Sequence, residues 1–164
     1  MIRTLALAAA LTATVLASAA LPSAARAQDL TVKAADGHSV TVTDAQMRDL
    51  HRLSVTAAWG DHHVYAGTPI GDLLALVGAP SEVKLHGPAL DQIVVVTGSD
   101  HFIAVLAMAE TARSFRDAPV ILADEVDGKP LDAKEGPYRL IIGGELKPAR
   151  SVRMVTTIEL RPVK

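Results

Sequence analysis

The residues of this chain best suited to chemistry are its histidines, its carboxylates and a late basic group. His62 and His63 are adjacent. Neighbours on a strand face opposite sides, so the two cannot readily share one metal ion. No H-x-H or H-x-x-x-H spacing occurs among the six histidines. The pair therefore reads as a polar strand edge rather than a metal site. Ser99-Asp100-His101 has the residue types of a hydrolase triad, but consecutive positions cannot form the relay. There is also no G-x-S-x-G elbow. Ser and Asp suit a turn, where they cap backbone N–H groups. A turn between buried strands is a common place for a ligand contact, which makes Asp100 and His101 binding candidates.

Glu110, Asp124 and Glu125 have no spacing that pairs them for acid–base work, and they read as solvated or salt-bridged. Gly143-Gly144 lacks the Lys-Ser/Thr of a P-loop and the G-x-G-x-x-G of a dinucleotide site. Lys147, Arg150 and Arg153 follow it, with Arg139 nearby. Guanidinium groups converging beside a Gly-Gly turn could bind a phosphate or a carboxylate. The alternative is a sheet edge protected by charge. The chain has no cysteine. That excludes a disulfide framework, thiol redox chemistry, a cysteine nucleophile, and heme or iron–sulfur groups held by cysteine.

The elements that must position these residues are mostly strands. Asp29 to Lys33 and Ser39 to Thr43 alternate apolar and polar residues around an Ala35-Asp36-Gly37 turn, which predicts a hairpin. Thr43 and Gln46 have capping-box spacing, so a short helix should run from Asp44 to Leu50 with Met47 and Leu50 inward. Arg52 to Trp59 and His62 to Ala66 read as strands joined at Gly60-Asp61. Thr68 and Pro69 predict a helix start, with Thr as N-cap and Pro at the first helical position. Ile70, Leu73, Leu74 and Val77 share its inner face, and Gly78 with Pro80 ends it. Further strands are predicted over Gln92 to Val96, Phe102 to Met108, Pro119 to Ala123, Arg139 to Ile142 and Val152 to Leu160. Asp127-Gly128 favours a tight turn. The fold class is α+β, with a mixed or antiparallel β-rich sheet and a few short helices.

Several segments, in order and at their spacing, resemble the oxidoreductase molybdopterin-binding domain, the fold of the sulfite oxidase family. Tyr65 to Leu74 (YAGTPIGDLL) is similar to the family's Y-x-G-V-P-L-x-x-L-L. Ser99 to Phe102 is similar to S-D-G-Y, and Gly136 to Leu140 (GPYRL) to G-P-L-R-L. Ser151-Val152-Arg153 stands where the family has W-V-K/R, and Asp127 to Leu131 (DGKPL) lies between in the expected order. The resemblance covers roughly Val55 to Leu160. It implies that Arg139, and Lys147 with it, would hold a pterin phosphate, and that a protein thiolate would hold the molybdenum. This chain departs in three places: no cysteine is present, Glu135 replaces the histidine before Gly-Pro, and Ser151 replaces the tryptophan. It is also shorter than a complete enzyme of the family and lacks the dimerisation domain.

Residues 1–27 read as a secretory signal peptide. Arg3 supplies the positive start, Leu5 to Ala20 is uncharged, and Ala25-Arg26-Ala27 is a small-x-small cleavage site. The apolar run is near the lower limit for a membrane span, so cleavage and release to the periplasm is the expectation. Residues 28–164 then form one domain. With Arg3 and Arg26 removed, 14 of the 16 Lys and Arg remain against 18 Asp and Glu, and the net charge moves from −2 to −4. Nothing in that balance favours nucleic acid or an anionic membrane. The candidate cofactor-binding residues are Asp100, His101, Arg139 and Lys147. The expected function is a periplasmic, non-catalytic module for a small anionic ligand or a partner protein, with no cofactor unless the resemblance extends to molybdopterin. The alternatives are a molybdopterin-dependent oxidoreductase, or a subunit of one, lacking the cysteine ligand, and a structural or accessory scaffold.

Overall fold

The computed structural model describes residues 28–163. The signal-peptide reading of residues 1–27 lies outside the described residues. Among those described, no helix is long and apolar enough to cross a membrane.

The hairpin forms as the alternation predicts. β1 (Leu30–Lys33) pairs antiparallel with β2 (Ser39–Val42), and Leu30, Val32 and Val42 are buried. The capping box is complete. Thr43 Oγ1 accepts from Gln46 N at 3.4 Å, and Gln46 Oε1 accepts from Thr43 N at 2.9 Å. It starts α1 (Asp44–Asp49), which buries Met47.

β3 (Leu53–Thr56) and β4 (Val64–Pro69) pair antiparallel. The helix start at Thr68-Pro69 is corrected by one step. Both residues belong to β4, in register with Leu122 and Ile121, and α2 spans Ile70–Ala75. Thr68 is held in the sheet, so its hydroxyl caps nothing; it is buried without a hydrogen-bond partner. Pairing with a neighbouring strand has outweighed the local cap preference. The helix end follows the prediction. Gly78 is left-handed (φ +77°), and the Ala79 N–H donates to the Leu74 carbonyl at 3.1 Å.

The strands form two sheets. The first has the order β2-β1-β10-β5-β6, with β5 Gln92–Gly98, β6 Ile103–Ala107 and β10 Val155–Pro162. It is mixed, because β1 runs parallel to β10 while its other pairs are antiparallel. The second has the order β3-β4-β7-β8, with β9 also on β7; here β7 is Val120–Val126, β8 Lys129–Pro130 and β9 Arg139–Ile142. All its pairs are antiparallel. Asp127 (φ 50°) and Gly128 (φ 73°) make the tight turn from β7 to β8, both left-handed as such a turn requires.

The main core takes one face of each sheet together with Met47 of α1 and Ile70, Leu73 and Leu74 of α2. A smaller apolar cluster of Val55, Ala57, Tyr65, Ile121, Ala123, Leu131 and Ile141 lies on the other face of the second sheet. Side-chain alternation explains the split. Val120 and Leu122 of β7, with Leu140 and Ile142 of β9, enter the main core, while Ile121, Ala123 and Ile141 enter the smaller one. All four residues of β9 are therefore buried.

Candidate functional site

Arg139 lies two residues before Ile141, so it shares the face that carries the smaller cluster. It is only 3% exposed. A guanidinium so deep in the protein must be paired, because an isolated buried charge is very costly. Its partners account for much of its donor capacity. Nη1 donates to Glu135 Oε1 at 2.6 Å and to the Tyr65 hydroxyl at 3.0 Å, and Nε donates to Ser151 Oγ at 2.9 Å. The guanidinium carbon also lies 5.3 Å from the centre of the Tyr65 ring, within cation–π range. Nη2 takes no part in these bonds.

The partners are themselves held. Ser151 Oγ donates onward to the Leu140 carbonyl at 2.6 Å, so one hydroxyl ties the arginine to the backbone of its own strand. Glu135 stands four residues before Arg139 and also meets Arg153, whose Nε is 3.6 Å from the same carboxylate oxygen. Burial raises the Tyr65 phenol above its ordinary pKa, and the adjacent Arg139 charge opposes part of that rise.

A cleft of about 180 Å³ opens beside this group, lined by Asp100, Phe102, Arg139, Ser151, Arg153 and the Pro148-Ala149 segment. The turn between β5 and β6 forms one wall. Ser99 N donates to the Met154 carbonyl at 2.9 Å, docking the turn against the segment that precedes β10. Asp100 Oδ1 accepts from Phe102 N at 2.9 Å, which is the turn-capping role read from the sequence. Beneath the turn, a Cβ on Gly98 would stand 2.6 Å from the Arg153 carbonyl and 2.8 Å from Asp100 Oδ1, so this approach needs glycine.

Of the four candidate residues, the structure brings Asp100 and Arg139 into one cleft. His101 is in the same turn, left-handed at φ 65° and exposed, and it does not line the cleft. Lys147 is exposed beside a different shallow depression with Glu145, Leu146, Ala149 and Arg150. The basic group is divided rather than convergent. Arg150 turns to Glu145 and to Glu110 at 3.2 Å, and its Nη1 donates to the Val105 carbonyl on the free side of β6. That contact covers a sheet edge with charge. Tyr65, Glu135 and Ser151 complete the site. The spacing of Glu135 to Arg139 was a readable signal, but the Tyr65 and Ser151 contacts arise only from the fold.

His62 and His63 are structural contacts. His62 Nδ1 is 3.1 Å from the Ala57 carbonyl, and His63 Nδ1 is 2.6 Å from Asp127 Oδ2. Among the described residues, no group of three or more His, Cys, Asp or Glu is arranged to hold a metal ion.

A larger groove of about 450 Å³ runs between α1, the β7–β8 hairpin and Pro137-Tyr138. Several of its polar groups are paired with one another. Arg52 makes a two-pronged pair with Asp124 at 2.7 and 2.9 Å, and the Tyr138 hydroxyl donates to Asp44. Burial and then the Asp44 bond push the Tyr138 phenol far above the ordinary tyrosine range.

No curated protein matches the chain. Among solved structures, the sulfane dehydrogenase SoxCD from Paracoccus pantotrophus aligns with a TM-score of 0.59 at 17% identity, over 84% of this chain and 38% of that one. At that identity the likeness is one of fold, and the aligned part is well under half of the SoxCD chain. The family model for the oxidoreductase molybdopterin binding domain matches residues 28–164, the whole chain beyond the candidate leader. The chain belongs to the oxidoreductase molybdopterin binding domain family.

Proposed function

We propose that this chain is an exported, non-catalytic member of its family that holds a small anion in the Arg139–Arg153 cleft. The family's cofactor is a poor fit to the residues present. The sequence has no cysteine to offer as a thiolate. The arginine expected to meet the pterin phosphate already carries an internal carboxylate, Glu135. The cleft, at about 180 Å³, is smaller than the roughly 300–1,000 Å³ of sites for drug-sized ligands. It holds about six waters' worth of volume, enough for a simple oxoanion or a short carboxylate.

The observation that carries the reading is that two guanidinium groups, Arg139 and Arg153, line one cleft and share one carboxylate oxygen of Glu135. Arg139 is held by three side chains and so is pre-organised, which lowers the ordering cost of binding. Arg153 is about half exposed and can turn toward a ligand. Glu135 offsets part of the positive charge, so binding should be weak and reversible. Export is read from the sequence alone: Arg3, the uncharged run Leu5 to Ala20 and the small-x-small site Ala25-Arg26-Ala27.

The test combines metal analysis of protein purified from the periplasm with NMR titration by sulfate and by acetate. Saturable shifts at Asp100, Ser151 and Arg153, weakened about tenfold or more in Arg153→Ala and strengthened in Glu135→Gln, support the reading. Stoichiometric molybdenum with a pterin would overturn it in favour of an oxidoreductase whose metal lacks a protein thiolate. No saturable shift with either anion would leave a scaffold whose old pocket is closed by its own side chains.

A further inference from the structure

The groove between α1 and the β7–β8 hairpin shares no lining residue with the Arg139 cleft, and no sequence motif pointed to it. Asp44, Met47 and Arg48 form its helix wall, at the i, i+3 and i+4 positions that share one helix face. Arg52, Asp124, Glu125 and Leu131 lie on the sheet side. Met47 belongs to the main core and Leu131 to the smaller cluster, so the groove lies over the seam between the two layers.

The charges of the two walls are of opposite kinds. On the sheet side, Arg52 is taken up by its two-pronged pair with Asp124, and Glu125 Oε1 stands farther off at 3.4 Å from the same guanidinium. One guanidinium against two carboxylates leaves one negative charge in excess, and Glu125, its looser member, is 44% exposed. On the helix wall, Asp44 accepts from the Tyr138 hydroxyl. Arg48 is exposed and, among the described residues, takes part in no hydrogen bond or ion pair. Burial and the Asp44 bond raise the Tyr138 phenol, and Arg48 opposes them, so its charge reaches into the groove.

A simple cation in this groove meets Arg48, and a simple anion meets Glu125. A ligand with one charge of each sign complements both walls. The volume of about 450 Å³ equals about fifteen waters and falls within the range of small-molecule sites. We propose that the groove binds a short zwitterionic peptide. Its ammonium group faces Glu125, its carboxylate faces Arg48, and its apolar side chains lie over Met47 and Leu131. This site differs from the anion cleft in its residues and in its ligand class.

Alanyl-leucine titrated into protein purified from the periplasm, followed by amide correlation NMR, tests the assignment. Its N-acetyl and C-amide forms each lack one of the two charges. The expected result is saturable shifts at Met47, Arg48, Glu125 and Leu131. Both charged contacts are partly open to solvent, so each blocked form should bind about fivefold more weakly. Glu125→Gln should weaken the free dipeptide by a similar factor and leave the acetylated form unchanged. Arg48→Gln should do the same and leave the amide unchanged. The spectra of the unliganded variants report that the fold is kept. Absence of saturable shifts, equal binding of the three forms, or undiminished binding of the free dipeptide in either variant would overturn the proposal. Tighter binding of the amide than of the free dipeptide would also overturn it, by assigning the groove to simple cations. Shifts confined to Asp100, Ser151 and Arg153 would overturn it too, while supporting the anion cleft. Sulfate failing at that cleft leaves the groove result untouched.

Discussion

The two faces of the second sheet solve different problems with the same strands. On one face, Leu122, Leu140 and Ile142 join a core built from both sheets and both helices. On the other, Ile121, Ala123 and Ile141 meet a thin layer that includes Val55, Tyr65 and Leu131, with Trp59 packed against it. Among the described residues, the buried charge is on the thin face: Arg139, held by Glu135, Tyr65 and Ser151. A thick core excludes water by bulk. A thin one can keep a guanidinium at its margin if each bond finds a partner. The difference places the stability of this domain in one layer and its candidate chemistry in the other.

Neighbours on β9 test that division directly. Leu140 and Ile141 are both fully buried but point to opposite layers. Leu140→Ala should cost about 4 kcal/mol and Ile141→Ala about 3 kcal/mol, because the thinner layer can relax around the lost atoms. Chemical denaturation measures both. The single tryptophan, Trp59, packs only on the thin layer, so its emission should change in Ile141→Ala and hold in Leu140→Ala. Equal costs with equal emission changes would mean that the layers form one cooperative core.

The charge at the margin gives the next largest effect. Glu135→Leu removes the carboxylate partner of the buried Arg139 guanidinium. Breaking such a pair should cost about 3 kcal/mol. The double variant Glu135→Leu with Arg139→Met should recover much of that loss, since an apolar pair of similar volume is often as stable as the ion pair. Stability curves for the three proteins decide the matter. A Glu135→Leu variant as stable as the parent would mean that water, not Glu135, satisfies Arg139.

How much of this was legible depends on distance along the chain. The first hairpin, the capping box, the Gly78 helix end and the Asp127-Gly128 turn are set by a few adjacent residues, and each formed as read. The start of α2 was misplaced because Thr68 answers to Leu122, far away in sequence. The fold class and family were legible because the order of motifs carries them. The site was only half legible. Asp100 and Arg139 meet because Ser99 docks on Met154 and β9 buries both faces, and neither contact has a local signal. Lys147 and Arg150 looked like part of the same basic group, but Glu145 and Glu110 draw Arg150 to the β6 edge.

Each layer also holds one of the two tyrosines, which allows an optical comparison. Tyr65 lies in the thin layer and Tyr138 in the thick one, both nearly inaccessible. Burial raises both phenols; Arg139 opposes the rise at Tyr65, whereas Asp44 adds to it at Tyr138. A phenol whose folded pKa exceeds its unfolded value, about 10, stabilises the fold below that value. The contribution is lost as pH rises through the folded pKa, because the unfolded state then releases the proton more readily. Ultraviolet titration should therefore show no tyrosinate near the ordinary pKa, then Tyr65 before Tyr138, and the stability that these two phenols contribute should be lost on the alkaline side. Ionisation of both at the ordinary value would mean that neither layer excludes water.

The smallest effect concerns the helix that roofs the thick layer. Thr43→Ala removes the hydroxyl that caps Gln46 N and should cost about 1 kcal/mol. α1 reaches the core through Met47 and through the bond between Asp44 and the Tyr138 hydroxyl. Loosening its first turn should therefore lower the alkaline onset of Tyr138 ionisation while Tyr65 ionisation and Trp59 emission stay as they were. Stability measured by denaturation gives the cost, and the two optical signals give its location. A change at Trp59 of the same size as the change at Tyr138 would show that the layers communicate through β9, since adjacent residues of that strand face both.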